Sequence, residues 1–504
     1  MVQRSRGCLR CRQRRVRCDQ GRPSCQRCLT RNELCIGYRD EADLIFQHET
    51  AKTVLRHRSE ASSTSSSEPR RSRSQSLPRT DSESPPDISP IRPSASREDA
   101  AIAGFFEKYI LYPCTNSSSS GFLEHLPCLF KDVNVEGRHA LRWAVQAAAF
   151  ADYSRTADSE AAELTSLALE CYGRALGKLG ESMAERGKVP DDYDLNCVVV
   201  LDLFESLYLP ETAAMGAHAQ GMAHILRLRG HEQFHDPRGW GLFRLAHHRI
   251  QKQHLAKKLS PLPESKAWLD CLHQDQFVRL EQDALRISTL CDKANSILGV
   301  LNSGSVDRQG IVRLVQEMHA LDAEATKWRQ RAEWSFRTVR AEDIAGYRHE
   351  TAYLPDTVQI HGDVWMAYEW NYHRTARILL HQQLLACLTA IESDGDEFMD
   401  GQTAEVMAWK ETSIMVVRTL AEEILSTVAQ SFGDVDGAGR SVDVFEDGPS
   451  CRAIGAYFML WPVKIMKSED GVATDAQKEA ARLVFERIRE TTGMKRTLGA
   501  LSIV

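Results

Sequence analysis

Six cysteines fall within the first 35 residues, in the pattern Cys8-x2-Cys11-x6-Cys18-x6-Cys25-x2-Cys28-x6-Cys35. A segment this short cannot build a hydrophobic core of its own, so its fold must come from crosslinks or metal. Each tetrahedral zinc takes four ligands. Six thiolates therefore complete one site with two left over, or two sites that share two sulfurs. The unit C-x2-C-x6-C occurs twice, which favours sharing, with each half supplying three sulfurs, one of them a bridge. A disulfide framework would belong to an oxidising compartment, and nothing like a secretory apolar region precedes these cysteines.

The cysteines are interleaved with arginine. Residues 1–39 hold eleven arginines against Asp19 and Glu33, a net +9, whereas the whole chain carries −6, leaving −15 on residues 40–504. Dense positive charge around a thiolate cage points to nucleic acid; a metal store would gain little from the arginines. Such a head binds phosphates by counterion release, so its affinity should fall steeply with salt. Arg10, Arg12, Arg17, Arg27 and Arg31 are the candidates for phosphate contacts.

The segment resembles the fungal Zn2Cys6 binuclear-cluster transcription factors, at all six cysteines and at Arg12, Arg14, Arg15, Arg17, Asp19 and Pro23. The resemblance implies two Zn2+ ions, with Cys8 and Cys25 bridging, Cys11 and Cys18 completing one site, and Cys28 and Cys35 the other. It also implies a short helix after the first cysteine pair that enters the major groove of double-stranded DNA. Basic residues at the positions of Arg14 and Arg15 would there read a CGG-type triplet. Many relatives carry Lys where Arg15 stands, and the arginine fork still suits O6 and N7 of guanine. A nuclear location and regulation of RNA polymerase II come with the same resemblance.

The expected fold class is mainly α, in four parts. Residues 1–39 form the zinc-cluster DNA-binding domain, and 40–58 a short helical linker or weak dimerisation element. Leu44, Ala51, Val54 and Leu55 make less than three heptads with His48 on the seam, so monomeric and homodimeric binding both stay open. Residues 59–96 hold fourteen Ser and six Pro and almost nothing large and apolar. They read as a disordered linker, because they bury too little surface to offset the entropy of ordering. Ser84-Pro85 and Ser89-Pro90 match proline-directed phosphosites, and Arg70, Arg71 and Arg73 could aid import, although solvated linker explains all of them.

From residue 97 to 504 the helical period takes over. Ser96-x-x-Asp99 resembles a capping box ahead of the stripe Ile102, Phe105, Phe106, Tyr109 and Ile110. Further helices are expected near 194–208, 213–229, 239–257, 273–301, 309–334, 360–391, 403–430, 452–467 and 474–492, with strand signals scarce. Two subregions are expected, divided near 255–272 or 340–358. The segments 217–230, 369–382 and 455–463 resemble the large helical regulatory region of one branch of the family. Ile225, Leu226, Leu228, Tyr372, Ile378 and Leu379 are read as core, with the arginines along its margins; buried pairs with acids are the alternative for Arg374 and Arg377. No apolar run approaches the roughly 18 residues of a membrane span, since even 196–204 is broken by Asp202. The chain should be soluble and intracellular, and Cys114, Cys128, Cys171, Cys197, Cys271, Cys291, Cys387 and Cys451 reduced thiols.

Catalytic patterns are weak. His231-Glu232-Gln233-Phe234-His235 fits H-E-x-x-H, yet Gly230 and Pro237 flank it too closely for a helix holding two ligands. His218 and His224 are six apart, His247 and His248 should point to different sides, and the Asp434-Val435-Asp436 loop lacks the calcium spacing. The chain reads as a zinc-dependent, sequence-specific DNA-binding regulator and not an enzyme. Transcriptional machinery and a small-molecule effector are the partners expected of the helical region. Two alternatives stay open: a zinc-module protein whose helical domain is chiefly a protein-interaction scaffold, and an enzyme carrying a zinc module.

Overall fold

The computed structural model describes residues 11, 14, 16–19, 25–31 and 35, and then 96–495 apart from 114–120, 135–137, 156–159, 186, 210–216, 273–274, 302–307, 328–333, 346, 348–352, 394–399, 443–451 and 469–471. It forms two compact units, Met1–Ile91 and Arg92–Val504. The expected linker element at 40–58 and all of the 59–96 stretch except Ser96 lie outside the described residues.

In the first unit the one described helix is α1 (Gln26–Leu29). The second unit opens with α2 (Arg97–Tyr109), α3 (Leu126–Phe130), α4 (His139–Tyr153), α5 (Ala161–Ala184), α6 (Asp192–Tyr208) and α7 (Ala217–Arg229). After a 3-10 turn at Gly230–Phe234 come α8 (Pro237–Lys257), α9 (Ser265–Asp270), α10 (Gln276–Leu301) and α11 (Arg308–Ala325). Strands β1 (Arg337–Arg340) and β2 (Thr357–Ile360) follow, and then α12 (Val364–Ser393), α13 (Asp400–Leu425), α14 (Val428–Phe432), α15 (Ala453–Met466) and α16 (Asp475–Thr492).

Local chemistry sets many of the helix starts. The Ser96 side chain accepts the Asp99 amide and opens α2. Asp191 with Asp194, and Thr474 with Gln477, form reciprocal capping boxes at α6 and α16. Asp236 caps α8, whose first residue is Pro237, where a missing amide costs nothing.

The chain's early and late helices share one core. Phe105, Val145, Leu201 and Phe204 from α2, α4 and α6 meet Phe458, Val484 and Ile488 from α15 and α16. A second core joins α10, α11 and α12 through Ile287, Cys291, Val315, Leu380 and Leu384, with Trp461 of α15 in it. Residues 92–504 therefore do not divide in sequence order near 255–272 or 340–358, because the C-terminal helices return to the first core. Helix α15 is buried on nearly every side, so it runs apolar all round. Gly455 lets it approach α14, since a Cβ there would overlap the Ser431 carbonyl oxygen.

Several expectations need correction. Among the described residues the body is mainly helical, as expected, with one short antiparallel pair added, β1 and β2, in register from Arg337 opposite Ile360 to Arg340 opposite Thr357. The helix expected over 309–334 ends at Ala325, and that over 403–430 breaks into α13 and α14. Leu228 is exposed, at the end of α7, while Ile225 and Leu226 are buried. Arg374 and Arg377 follow the alternative reading, pairing with acids and not lying along the margins. Arg374 is buried and donates to Glu423, Asn371 and Gln359, and Arg377 holds Asp322 through two bonds of 2.6 and 3.0 Å.

Candidate metal centre and a cavity in the helical body

The zinc segment is organised by α1. Cys25 is its N-cap, with the sulfur accepting the Cys28 amide at 3.4 Å. The carboxylate of Asp19 accepts the amides of Gln26 at 2.9 Å and Arg27 at 3.3 Å. Cys11, Cys25 and Cys28 are buried with their sulfurs mutually within 4.8 Å. A second group within the same limit joins Cys18, Asp19 and Cys25. Both oxygens of Asp19 are taken by backbone amides, so it acts as a cap, and the thiolates remain as metal donors.

These residues fit zinc. Two thiolates bound to one tetrahedral zinc at about 2.3 Å stand about 3.8 Å apart, and the Cys11 and Cys25 sulfurs are 3.7 Å apart. Cys35 is half-buried and packs against the cysteine cluster beside Val16 and Cys18, outside both close groups. Arg17, Arg27 and Arg31 are exposed, and Arg14 is half-buried. Cys8, Arg10, Arg12 and Arg15 lie outside the described residues.

A thiolate cage with exposed arginines defines the class, a metal-stabilised nucleic-acid-binding module. Residues 6–44 match the family described as the Fungal Zn(2)-Cys(6) binuclear cluster domain. A domain of that kind binds two zinc ions and is the DNA-binding part of zinc-cluster transcription factors, so residues 6–44 are similar to the DNA-binding module of that class. The match stops at residue 44 and leaves the helical body uncovered. No curated protein and no solved structure shows significant similarity to the chain.

The weak catalytic pattern of the sequence sits in the 3-10 turn, where His231, Glu232 and His235 are exposed. At three residues per turn, positions four apart do not share a face, so these two histidines do not form a zincin pair. No helix among the described residues is long and apolar enough to cross a membrane.

The body holds a polar centre that the sequence reading missed. His247 and His248 do not diverge; both Nδ1 atoms meet the buried Glu281 carboxylate, at 2.8 and 2.7 Å. Their Nε2 atoms meet the Ser265 hydroxyl at 2.9 Å and the Tyr368 hydroxyl at 2.6 Å. Burial alone would raise the Glu281 carboxyl, but His248 and His247 outweigh it and hold it at about 2. Burial pushes His248 below its ordinary value against the pull of Glu281. A neutral His248 that donates from Nδ1 and accepts from Tyr368 satisfies the whole chain of bonds.

Beside this centre lies a cavity of about 310 Å³, lined by both the first and the second core. Arg244, His248 and Lys252 of α8 face it at intervals of four residues, a spacing that keeps side chains on one helix face. Aromatic walls come from Phe122, Phe277, Trp365, Tyr368, Tyr457 and Trp461. Arg249 is spoken for: its Nε donates to Asp202 at 2.7 Å and its guanidinium also meets the Tyr457 hydroxyl.

Proposed function

We propose that the chain is a nuclear regulator of RNA polymerase II transcription that recognises CGG-type triplets through its N-terminal zinc cluster. The observation that carries the zinc assignment is that the Cys25 sulfur is the one common to both close groups, within 4.8 Å of Cys11 and Cys28 in one and of Cys18 and Asp19 in the other, so that it stands near cysteines assigned to both zincs. A sulfur shared between two zincs needs that position. On this reading Cys8 and Cys25 bridge, Cys11 and Cys18 complete one zinc, and Cys28 and Cys35 the other. Arg14 and Arg15 read bases, and Arg10, Arg12, Arg17, Arg27 and Arg31 grip phosphates; the exposure of Arg17, Arg27 and Arg31 supports the latter role. The four-part division at residues 39, 58 and 96, with 97–504 as the regulatory domain, belongs to the same proposal.

Selection of binding sites from random duplex DNA by the zinc-loaded full chain tests it. Enrichment of a CGG-like triplet, lost on Arg15→Ala, is the expected result. Metallated protein that enriches no motif would overturn the specific-reader assignment.

A further inference from the structure

Two cations on the wall of the body's cavity make no direct hydrogen bond or ion pair with an acid among the described residues, although carboxylates stand within electrostatic reach of both. Arg244 has no hydrogen bond or ion pair among the described residues, and its Nε is buried and unsatisfied. Its guanidinium instead lies 4.9 Å from the Phe277 ring and 5.6 Å from that of Trp240. Lys252 likewise has no hydrogen-bonded or ion-paired partner among the described residues. Its ammonium stands amid Tyr457, Trp461 and Tyr368, at 5.4, 5.6 and 5.9 Å from the ring centres. The two side chains are eight residues apart on α8, about 12 Å along its axis.

The acids nearby act at a distance and make their direct bonds elsewhere. Glu369, whose pull on Arg244 is the strongest, accepts the Trp365 indole at 2.9 Å; Asp275 accepts the Val278 amide at 2.9 Å, and Glu281 is held by His247 and His248. Asp202 is held by Arg249 and by Gln253 at 3.1 Å. Glu205 is engaged by Tyr172 and by His218 at 2.8 Å. Glu124 is raised by burial to about 7, although Arg244 pulls it the other way. Burial also drives Lys252 down to about 7, with Arg249 adding to the effect, and lowers Arg244. Leaving cations unpaired in an apolar site is costly, and a bound anion removes that cost.

We propose that this cavity is a binding site for a small organic anion with an aromatic body, its charged group set against Lys252 or Arg244 and its ring among Trp365, Tyr457 and Trp461. The volume falls within the range of small-ligand pockets, and mostly apolar walls with few convergent charges are their usual construction. Aromatic rings accept the faces of the ligand, and the two cations select against neutral analogues. The site lies wholly in residues 92–504, so it stands or falls independently of the zinc cluster and of what DNA it reads.

Calorimetric titration of the full chain with 2-naphthoate and indole-3-acetate, each beside its neutral amide, tests the assignment. Both acids should bind saturably, about tenfold or more tighter than the amides, the expected weight of one charge-assisted contact. Lys252→Gln or Arg244→Gln should remove that preference while the amides bind as before, and Lys252→Arg should restore it. Each variant is checked by its thermal unfolding midpoint, which should not fall, because an unpaired cation is being removed. Failure of both acids to bind, amides binding as well as acids, or a preference that survives both Gln substitutions would overturn the proposal.

Discussion

The Asp19 carboxylate accepts the backbone amide of Gln26 at 2.9 Å, tying the loop after Cys18 to the start of the helix that carries Cys28. The bond joins the two cysteine triplets where, among the described residues, only Val16 and the cysteines themselves pack together. Metal retention in this module should therefore depend on a residue that is no ligand.

Asp19→Ala should loosen the cluster without removing a donor. Losing one charge-assisted capping interaction costs about 1 kcal/mol, so zinc should transfer to a competing chelator roughly fivefold more readily. Both zincs should still load when metal is in excess, as native mass spectrometry would show. Loss of one zinc at saturation would instead make Asp19 a ligand.

Cys25 and Cys18 should differ in kind. If the Cys25 sulfur is shared, Cys25→Ala strips ligands from two metals at once, whereas Cys18→Ala damages one site directly. Native mass spectra of the two variants at matched zinc should show an empty module for Cys25→Ala and a one-zinc species for Cys18→Ala. Equal metal content in both would remove the case for bridging.

The cysteine spacing made the zinc module legible because ligand geometry is written in short sequence intervals. Capping residues such as Ser96, Asp191 and Thr474 act within three positions, so helix starts were also within reach. Buried acid pairs for Arg374 and Arg377 were readable as an alternative, but their partners were not, since Arg374 finds Glu423 and Arg377 finds Asp322 at separations of 49 and 55 residues. The cavity left one local trace: Arg244, His248 and Lys252, four apart on a helix whose neighbouring positions Leu242, Phe243 and Ala246 are buried. A polar stripe beside an apolar one reads as a solvated face until the tertiary fold turns another apolar wall toward it.

Acid should destabilise the body through the centre at Glu281, and the sign is fixed. Burial lowers His248 from its ordinary 6.5, so below about pH 6.5 the unfolded chain binds a proton that the native state does not, and stability falls. Glu281, held at about 2 against an ordinary 4.5, adds a loss of the same sign between about pH 4.5 and 2. In urea unfolding, His248→Gln should lower stability at neutral pH by about 1–3 kcal/mol and flatten its decline between about pH 7 and 5. A variant whose decline parallels that of the parent would exclude His248 as its source.

Gly455 tests how closely the last helices must pack. An added Cβ would overlap the Ser431 carbonyl oxygen, a backbone atom that cannot rotate aside, so α14 and α15 would have to separate. Overpacking of this kind costs typically 1–3 kcal/mol, and here the displaced helix carries Phe458 into one core and Trp461 into the other. Gly455→Ala should lower the free energy of unfolding by about that amount, and it should also weaken any ligand of the neighbouring cavity, which Tyr457 and Trp461 line. The zinc content of residues 1–39 should not change, because that module's fold is set by its metal. A variant of unchanged stability would mean that the two helices have room to spare.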